Sequence, residues 1–326
     1  MRYNLRLMSR LSFALALALG VVVLAGRGFG AVLVSETFSY PDATFLDNAN
    51  GGTGWGDSWN DDSFFTDGGP EAITAPGLAY PGLATSGNRV VAEGSGSTDS
   101  RILAAGSIFG TNGTTRWMSF LMRKDANGNG GALDPDYGGI DFFGVAGTTD
   151  TNLYVGAFDT GRFGLGGDGA GAESAAPVSL GTTYFLVLKF TFVAGKDTVQ
   201  LFLNPAPGGA DPTNPIATKS DVNFGSIDAL GIENGVNSVW SFDEIRIGDT
   251  YLDIAPIPEP GTVAFLIGGM LLVGGSRFRR EGAKGRAANF HLSAAGLGSS
   301  AQKTSAYWHL AASAPRYAPR PRMARS

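Results

Sequence analysis

Two short segments place oxygen-bearing and aromatic side chains at spacings that could bind a ligand. The first contains Asp125, Asn127, Asn129 and Asp136, at positions 1, 3, 5 and 12 of a pattern similar to a calcium-binding loop. Oxygen ligands at alternate positions can converge on one hard cation, so the segment predicts a calcium site. Position 12 is Asp rather than Glu and no helical pattern flanks the segment, so an ordinary hairpin or exposed turn is the alternative.

The second segment mixes aromatic and acidic side chains in Trp55, Asp57, Trp59 and Asp61, and Asp62, Phe64, Phe65 and Asp67 continue it. Aromatic faces stack on sugar rings and carboxylates accept hydrogen bonds from sugar hydroxyls, so the segment predicts a glycan-binding patch. Packing of the tryptophans into a hydrophobic core is the alternative.

Residue counts exclude much catalytic chemistry. The chain has no Cys, and its two histidines, His291 and His309, lie in the last 40 of 326 residues. A thiol nucleophile, and a Ser-His-Asp triad or His-rich zinc site upstream, are therefore excluded, which leaves carboxylates. A retaining glycosidase places two carboxyls about 5 Å apart, often as Glu-x-Asp-x-Glu on one strand. No such string occurs, and the adjacent Asp243 and Glu244 should point to opposite faces.

A third pattern, Gly164, Gly166 and Gly169, satisfies the Gly-x-Gly-x-x-Gly motif of dinucleotide sites. A match is expected by chance among 49 glycines, and no helix pattern follows it. We therefore expect no enzymatic activity.

Alternating apolar and polar residues, interrupted by Gly, Pro, Asn and Asp, predict strands at 32–40, 73–80, 89–93, 116–123, 139–145, 153–158, 184–193, 198–204 and 239–247. The clearest unit is a hairpin over 184–204 that turns at 194–197. About ten to fourteen strands without long helices indicate an all-β fold, a two-sheet sandwich of jelly-roll type over residues 32–257.

This predicted domain is strongly acidic. Residues 32–257 contain 27 acidic and 10 basic side chains, a formal charge of −17. Such a surface disfavours nucleic acid and anionic membranes, and is compatible with neutral glycans, divalent cations or simple solubility.

The amino terminus has the features of an export signal. Arg2, Arg6 and Arg10 precede an apolar run at 11–25, which predicts a signal peptide over 1–31 and passage through the secretion translocon. An uncleaved anchor is the alternative, but about 15 residues rise only about 22 Å in a helix, less than the roughly 30 Å hydrocarbon core.

Near the other end, Pro258, Glu259 and Pro260 precede an apolar stretch at 262–275, and an arginine cluster follows that consists of Arg277, Arg279 and Arg280. Basic residues after an apolar segment favour retention of that side in the cytoplasm. The segment 258–280 resembles the PEP-CTERM sorting signal of Gram-negative bacteria. The resemblance implies a single hydrophobic anchor helix that is transient in the inner membrane, and an exosortase-type membrane protease that recognises the Pro-Glu-Pro element.

A second resemblance covers most of residues 36–254. The segments ETFSYPDATFLDNANGGTGWGDSW, YFLVLKFTFVAGKDTVQLFLNPAPGG and SFDEIRIGDTY are similar to concanavalin A-like, laminin-G-like domains. The remaining 281–326 form a basic, low-complexity tail with little periodicity, which we expect to be disordered. Its charges are too scattered for a nucleic-acid-binding arm.

Together these observations predict an exported protein of the outer cell surface or extracellular matrix. Its expected role is structural or adhesive, non-catalytic, and linked to the extracellular polysaccharide and biofilm matrix that the sorting-signal family implies. The alternative is a carbohydrate-binding module that uses calcium as its cofactor. A glycoside hydrolase would rest on fold analogy alone.

Overall fold

The computed structural model describes residues 31–61, 71–95, 98–127, 136–144, 151–167 and 170–258. The described residues all belong to one structural unit of the chain, Met1–Thr262. The predicted signal peptide before residue 31, the sorting signal from Glu259 onward and the basic tail lie outside the described residues.

The described residues form fifteen strands and one four-residue helix: β1 (Val32–Glu36), β2 (Asn60–Asp61), β3 (Ala72–Thr74), β4 (Arg89–Ser95), β5 (Thr98–Ile102), β6 (Thr115–Ala126), β7 (Gly138–Phe143), β8 (Thr151–Ala157), β9 (Arg162–Leu165), β10 (Ala172–Pro177), β11 (Thr183–Thr191), β12 (Asp197–Leu203), β13 (Ala217–Val222), β14 (Ala229–Asn234), β15 (Val236–Gly248) and α1 (Tyr251–Ile254).

The strands pair into two antiparallel sheets. Sheet A has the order β13-β12-β11-β6-β15-β4-β3, with β1 also paired to β15. Sheet B has the order β10-β9-β8-β7-β14-β5-β2. The predicted all-β, two-sheet sandwich is confirmed, and each of the nine predicted strands has a counterpart among the observed ones.

The core lies between the two sheets because alternate side chains of each strand point inward. Sheet A contributes Met118, Phe120, Leu186 and Phe190, among others, and sheet B contributes residues such as Ile140, Phe142, Val155 and Ile232. All eight of these side chains are fully buried.

The hairpin predicted over 184–204 is confirmed. Strand β11 pairs with β12 in continuous antiparallel register from Leu186 opposite Leu203 to Thr191 opposite Thr198. Gly195 supplies a left-handed φ of 107° in the turn, a conformation that side chains rarely adopt.

The expectation that Asp243 and Glu244 point to opposite faces is wrong. The register of β15 against β6 shifts between Asp243 and Arg246, and Glu244 has a φ of 55°. This β-bulge inserts one residue, so that Phe242 and Ile245 both remain in the core. Both carboxylates therefore face the 78–86 segment outside sheet A, where Asp243 accepts from the N–H of Leu78 and Glu244 from that of Ser86.

A second apolar cluster covers the outer face of sheet A. The side chains that project outward from the sheet include Trp117, Leu121, Phe185, Val187 and Phe202. They pack against the 78–83 segment and against α1, whose first turn is capped by Thr250 and Asp253. Within the described ranges, no helix has the length and apolar character needed to cross a membrane.

Candidate functional site

The outer face of sheet B differs because it carries polar side chains over an open groove. In β7 the side chains of Ile140 and Phe142 enter the core, so Asp141 projects outward. Asp141 lies opposite Tyr154 of β8, and Glu233 of β14 lies opposite the next outward position of β7. Side chains from three strands thus meet on one face.

These side chains line a groove of about 330 Å³, which we call the outer groove. Its lining side chains are those of Tyr137, Asp141, Tyr154, Phe158, Asp159 and Glu233. Gly166 and Gly167 complete the lining. A volume of this size is at the lower end of the range for small-ligand sites.

Three aromatic rings form two perpendicular contacts in the outer groove. The rings of Tyr137 and Tyr154 have centroids 6.0 Å apart and planes at 87°. The rings of Tyr154 and Phe158 are 5.3 Å apart, also at 87°. The hydroxyl of Tyr154 donates to the carbonyl oxygen of Ala157 at 2.8 Å, which anchors the central ring.

Glycines beneath the rings create the space that the rings occupy. A Cβ atom at Gly139 would lie 2.7 Å from Cζ of Tyr154, and one at Gly164 would lie 2.8 Å from Cε2 of Phe158. Either would displace the ring above it. Of the glycines in the Gly-x-Gly-x-x-Gly pattern, Gly164 therefore lies beneath the ring of Phe158, and Gly166 lines the groove.

The acidic side chains of the outer groove interact with one another and with neighbouring donors. Asp141 and Glu233 are diagonal neighbours on the paired strands β7 and β14. Burial, reinforced by Glu233, raises the pKa of Asp141 well above its usual range. Glu233 also accepts a 2.9 Å hydrogen bond from the hydroxyl of Tyr137. Asp159 accepts one of 2.8 Å from the backbone N–H of Asp136.

The residues of the predicted calcium loop have other partners. Asp125 forms an ion pair with Arg123 and accepts a hydrogen bond from Ser241. Asp136 pairs with Lys124, Asn127 is exposed, and Asn129 lies outside the described residues. Among the residues that the structure describes, no group of three metal-binding side chains is arranged for a metal ion. The calcium site stays a prediction.

The predicted Trp-Asp patch surrounds a buried ion pair. Arg101 and Glu36 are each 1% exposed, with 2.8 Å between nitrogen and oxygen. The guanidinium carbon lies 4.9 Å from the ring centroid of Trp55. The ring of Trp59 is buried, and its indole N–H donates to Glu36 at 3.2 Å. Asp57 is exposed.

Two further sets of predicted site residues fall partly outside the described residues. Asp61 belongs to β2, and its neighbours Asp62, Phe64, Phe65 and Asp67 lie outside the described residues. Of the sorting signal, the structure describes Pro258, which is exposed after α1. The other residues are outside it: Glu259, Pro260, Arg277, Arg279 and Arg280.

The residues of the outer groove were not predicted from the sequence. One signal was available, because Asp141 is flanked by Ile140 and Phe142 in a predicted strand, which places a carboxylate on the face opposite the core. Tyr154 and Glu233 are 13 and 92 residues further along the chain, and only strand pairing brings them beside it.

No family model matches this chain, and no curated protein matches it. Solved structures are similar at low identity. The globular domain of T. cruzi calreticulin is 14% identical with a TM-score of 0.41, over 76% of this chain and 98% of that chain. Trypanosoma rangeli sialidase in complex with the inhibitor DANA is 9% identical with a TM-score of 0.39, over 71% of this chain and 33% of that one.

Alginate lyase AlgAT5 from polysaccharide lyase family 7 is 12% identical with a TM-score of 0.35, over 51% of this chain and 79% of that chain. The match to the sialidase spans about a third of that enzyme's length. At these identities and TM-scores the matches bear on neither ligand nor activity, so the class of protein is defined by its own structure: an all-β sandwich with an acidic, aromatic outer groove.

Proposed function

We propose that this protein is an exported, non-catalytic β-sandwich that binds a polysaccharide in the outer groove. The observation that carries the proposal is the convergence of Tyr137, Tyr154 and Phe158 with the carboxyls of Asp141 and Glu233 in an open groove. Aromatic rings offer apolar faces to the C–H faces of sugars, and carboxyls accept hydrogen bonds from their hydroxyls.

The location of the protein follows from the resemblances in its sequence. The signal peptide would direct export, and the segment 258–280 would be handled by an exosortase-type protease as a PEP-CTERM signal. The mature domain would then be a concanavalin A-like jelly roll on the cell surface or in the matrix. Pro258 is exposed and follows the last described helix, which supports access of a protease to this end of the domain.

The carboxyl geometry supports a binding role over hydrolysis. Retaining glycosidases separate their two carboxyls by about 5 Å, and inverting enzymes separate them further to admit water. Asp141 and Glu233 instead are diagonal neighbours on paired strands and interact directly. Release of reducing sugar from a polysaccharide panel, abolished by Asp141→Asn, would contradict the non-catalytic proposal.

Affinity electrophoresis of the full-length protein against soluble polysaccharides tests binding. We expect Tyr154→Ala to weaken binding at least tenfold, because it removes the central ring. Tyr154→Phe retains the ring and should preserve most of the affinity, and circular dichroism would establish that both variants fold. Equal retardation of Tyr154→Ala and the unmodified protein on every retarding polysaccharide would exclude the outer groove as the binding site.

A further inference from the structure

The charge balance of the outer groove restricts what it can bind. Asp141, Asp159 and Glu233 line it, and no lining residue in the described part of the chain is basic. Anionic sugars such as uronic acids would meet carboxyls without a compensating cation, which is unfavourable. A neutral or cationic ligand is therefore expected.

One buried oxygen lacks a hydrogen-bond donor. Asp141 is 3% exposed, and its Oδ1 has no hydrogen-bond partner among the described residues. A buried carboxyl oxygen without a donor is costly, and a ligand that supplies an N–H or O–H removes that cost. The ligand group above Asp141 must therefore be a hydrogen-bond donor.

The aromatic rings add a preference for positive charge. Tyr137 and Phe158 both stand perpendicular to Tyr154, and all three rings line the groove together with the carboxyls. Faces of aromatic rings attract cations, and groups of aromatic rings recur in protein sites that bind ammonium ligands. A quaternary ammonium carries no N–H, so it would leave Oδ1 of Asp141 without a donor.

From these observations we infer that the outer groove recognises a primary ammonium on a sugar, and that its ligand is a polysaccharide containing hexosamine units with free amines. The ammonium would donate to Asp141 and to the Glu233 carboxyl while the sugar ring lies against Tyr154. This inference rests on the proposed polysaccharide binding in the same groove and names the class of sugar.

Three pentasaccharides that differ only at C2 separate the possibilities. Glucosamine, N-acetylglucosamine and glucose pentamers with β-1,4 linkages carry an ammonium, an acetamide and a hydroxyl at that carbon. We would titrate each into the full-length protein by isothermal calorimetry at 150 mM salt, at a pH where the glucosamine amines are protonated. The expected result is at least tenfold tighter binding of the glucosamine pentamer than of either of the others.

A charge control is essential because residues 32–257 carry a formal charge of −17, which attracts any polycation. Glu233→Gln should remove the preference for the glucosamine pentamer, because it removes a carboxylate charge beside Asp141, and its side-chain amide oxygen can still accept the hydrogen bond from the Tyr137 hydroxyl. Asp211→Asn makes the same change in charge at an exposed position outside the groove and should leave the preference intact. An equal loss in both variants would mean general attraction and would overturn the inference.

The outcomes also distinguish this inference from the proposed function. Equal binding of all three pentamers, or preference for the acetylated or neutral one, would overturn ammonium recognition while polysaccharide binding stands. Binding of none of the three would overturn ammonium recognition, and failure of the wider polysaccharide panel as well would overturn the proposed function.

Discussion

The outer faces of the two sheets both carry a carboxyl pair, but the two faces are built differently. On sheet A the outward residues are largely apolar, and the 78–83 segment and α1 cover them. On sheet B they include Gly139, Gly156 and Gly231, and an open groove remains. The first face extends the core, and the second leaves a concave surface that a ligand can enter.

The partners of the two carboxyl pairs show the same difference. Asp243 accepts backbone N–H groups on both oxygens, from Leu78 at 2.8 Å and from Glu244 at 2.7 Å. Glu244 is paired with Arg246. Asp141 in the outer groove retains an oxygen without a donor among the described residues. Buried acids whose oxygens all have donors are structural, whereas an acid with an unused oxygen at the base of a groove is suited to a ligand.

The largest expected effect is on sheet A. Arg246→Met removes the partner of Glu244 and leaves a buried carboxylate, which should lower the free energy of unfolding by about 3–5 kcal/mol. Thermal unfolding followed by circular dichroism measures this change. Below its melting temperature the variant should retain the polysaccharide affinity of the unmodified protein, because the outer groove lies on the other sheet. A variant with unchanged stability would contradict the structural role of this pair.

A smaller effect is the pH dependence of folding stability that Asp243 produces. Burial, with the neighbouring Glu244 charge, raises the pKa of Asp243 to about 9, so the folded protein holds a proton that the unfolded chain releases near its ordinary pKa of 3.8. The stability that this proton contributes is present below about pH 4 and is lost as pH rises toward 9.

Asp243→Asn cannot lose this proton, but its amide nitrogen cannot accept one of the two backbone N–H groups. We expect the variant to be about 1 kcal/mol less stable at pH 5, and the deficit to shrink and then reverse as pH rises toward 9, because only the unmodified protein loses this stability. Melting temperatures at several pH values measure this, with Asp211→Asn at an exposed position as the matched control. A deficit that is constant with pH would show that Asp243 does not titrate in this window.

The smallest expected effects on stability and binding come from the removal of two tyrosine hydroxyls, one on each face. The Tyr137 hydroxyl donates to Glu233 in the outer groove. The Tyr251 hydroxyl, in the apolar cluster that covers the outer face of sheet A, donates to the carbonyl oxygen of Ala206. Each change to Phe should cost about 1 kcal/mol of stability or less. Only Tyr137→Phe should also weaken polysaccharide binding, by roughly threefold in calorimetry. Equal affinities for both variants would show that this hydroxyl does not contribute to the binding site.

The nine predicted strands have apolar residues on their inward face, although the short strands β9 and β14 share this feature and were not predicted. Strands β6 and β11 are of this kind, and alternation locates them. Strands β5 and β13 escaped prediction because inward positions hold buried charges, Arg101 in the first and Lys219 in the second. Arg101 is neutralised by Glu36, 65 residues away, and no local pattern reveals such a partner.

The amino-acid sequence by itself determined the alternation of each apolar strand, and hence the all-β sandwich, the confirmed hairpin over 184–204 and the outward direction of Asp141. The tertiary structure alone decided which strands are neighbours. That choice placed Tyr154 and Glu233 beside Asp141, and it surrounded Trp59 with core residues. The physical reason is that a sheet joins residues far apart in the chain through register, while side-chain periodicity is a property of each strand alone.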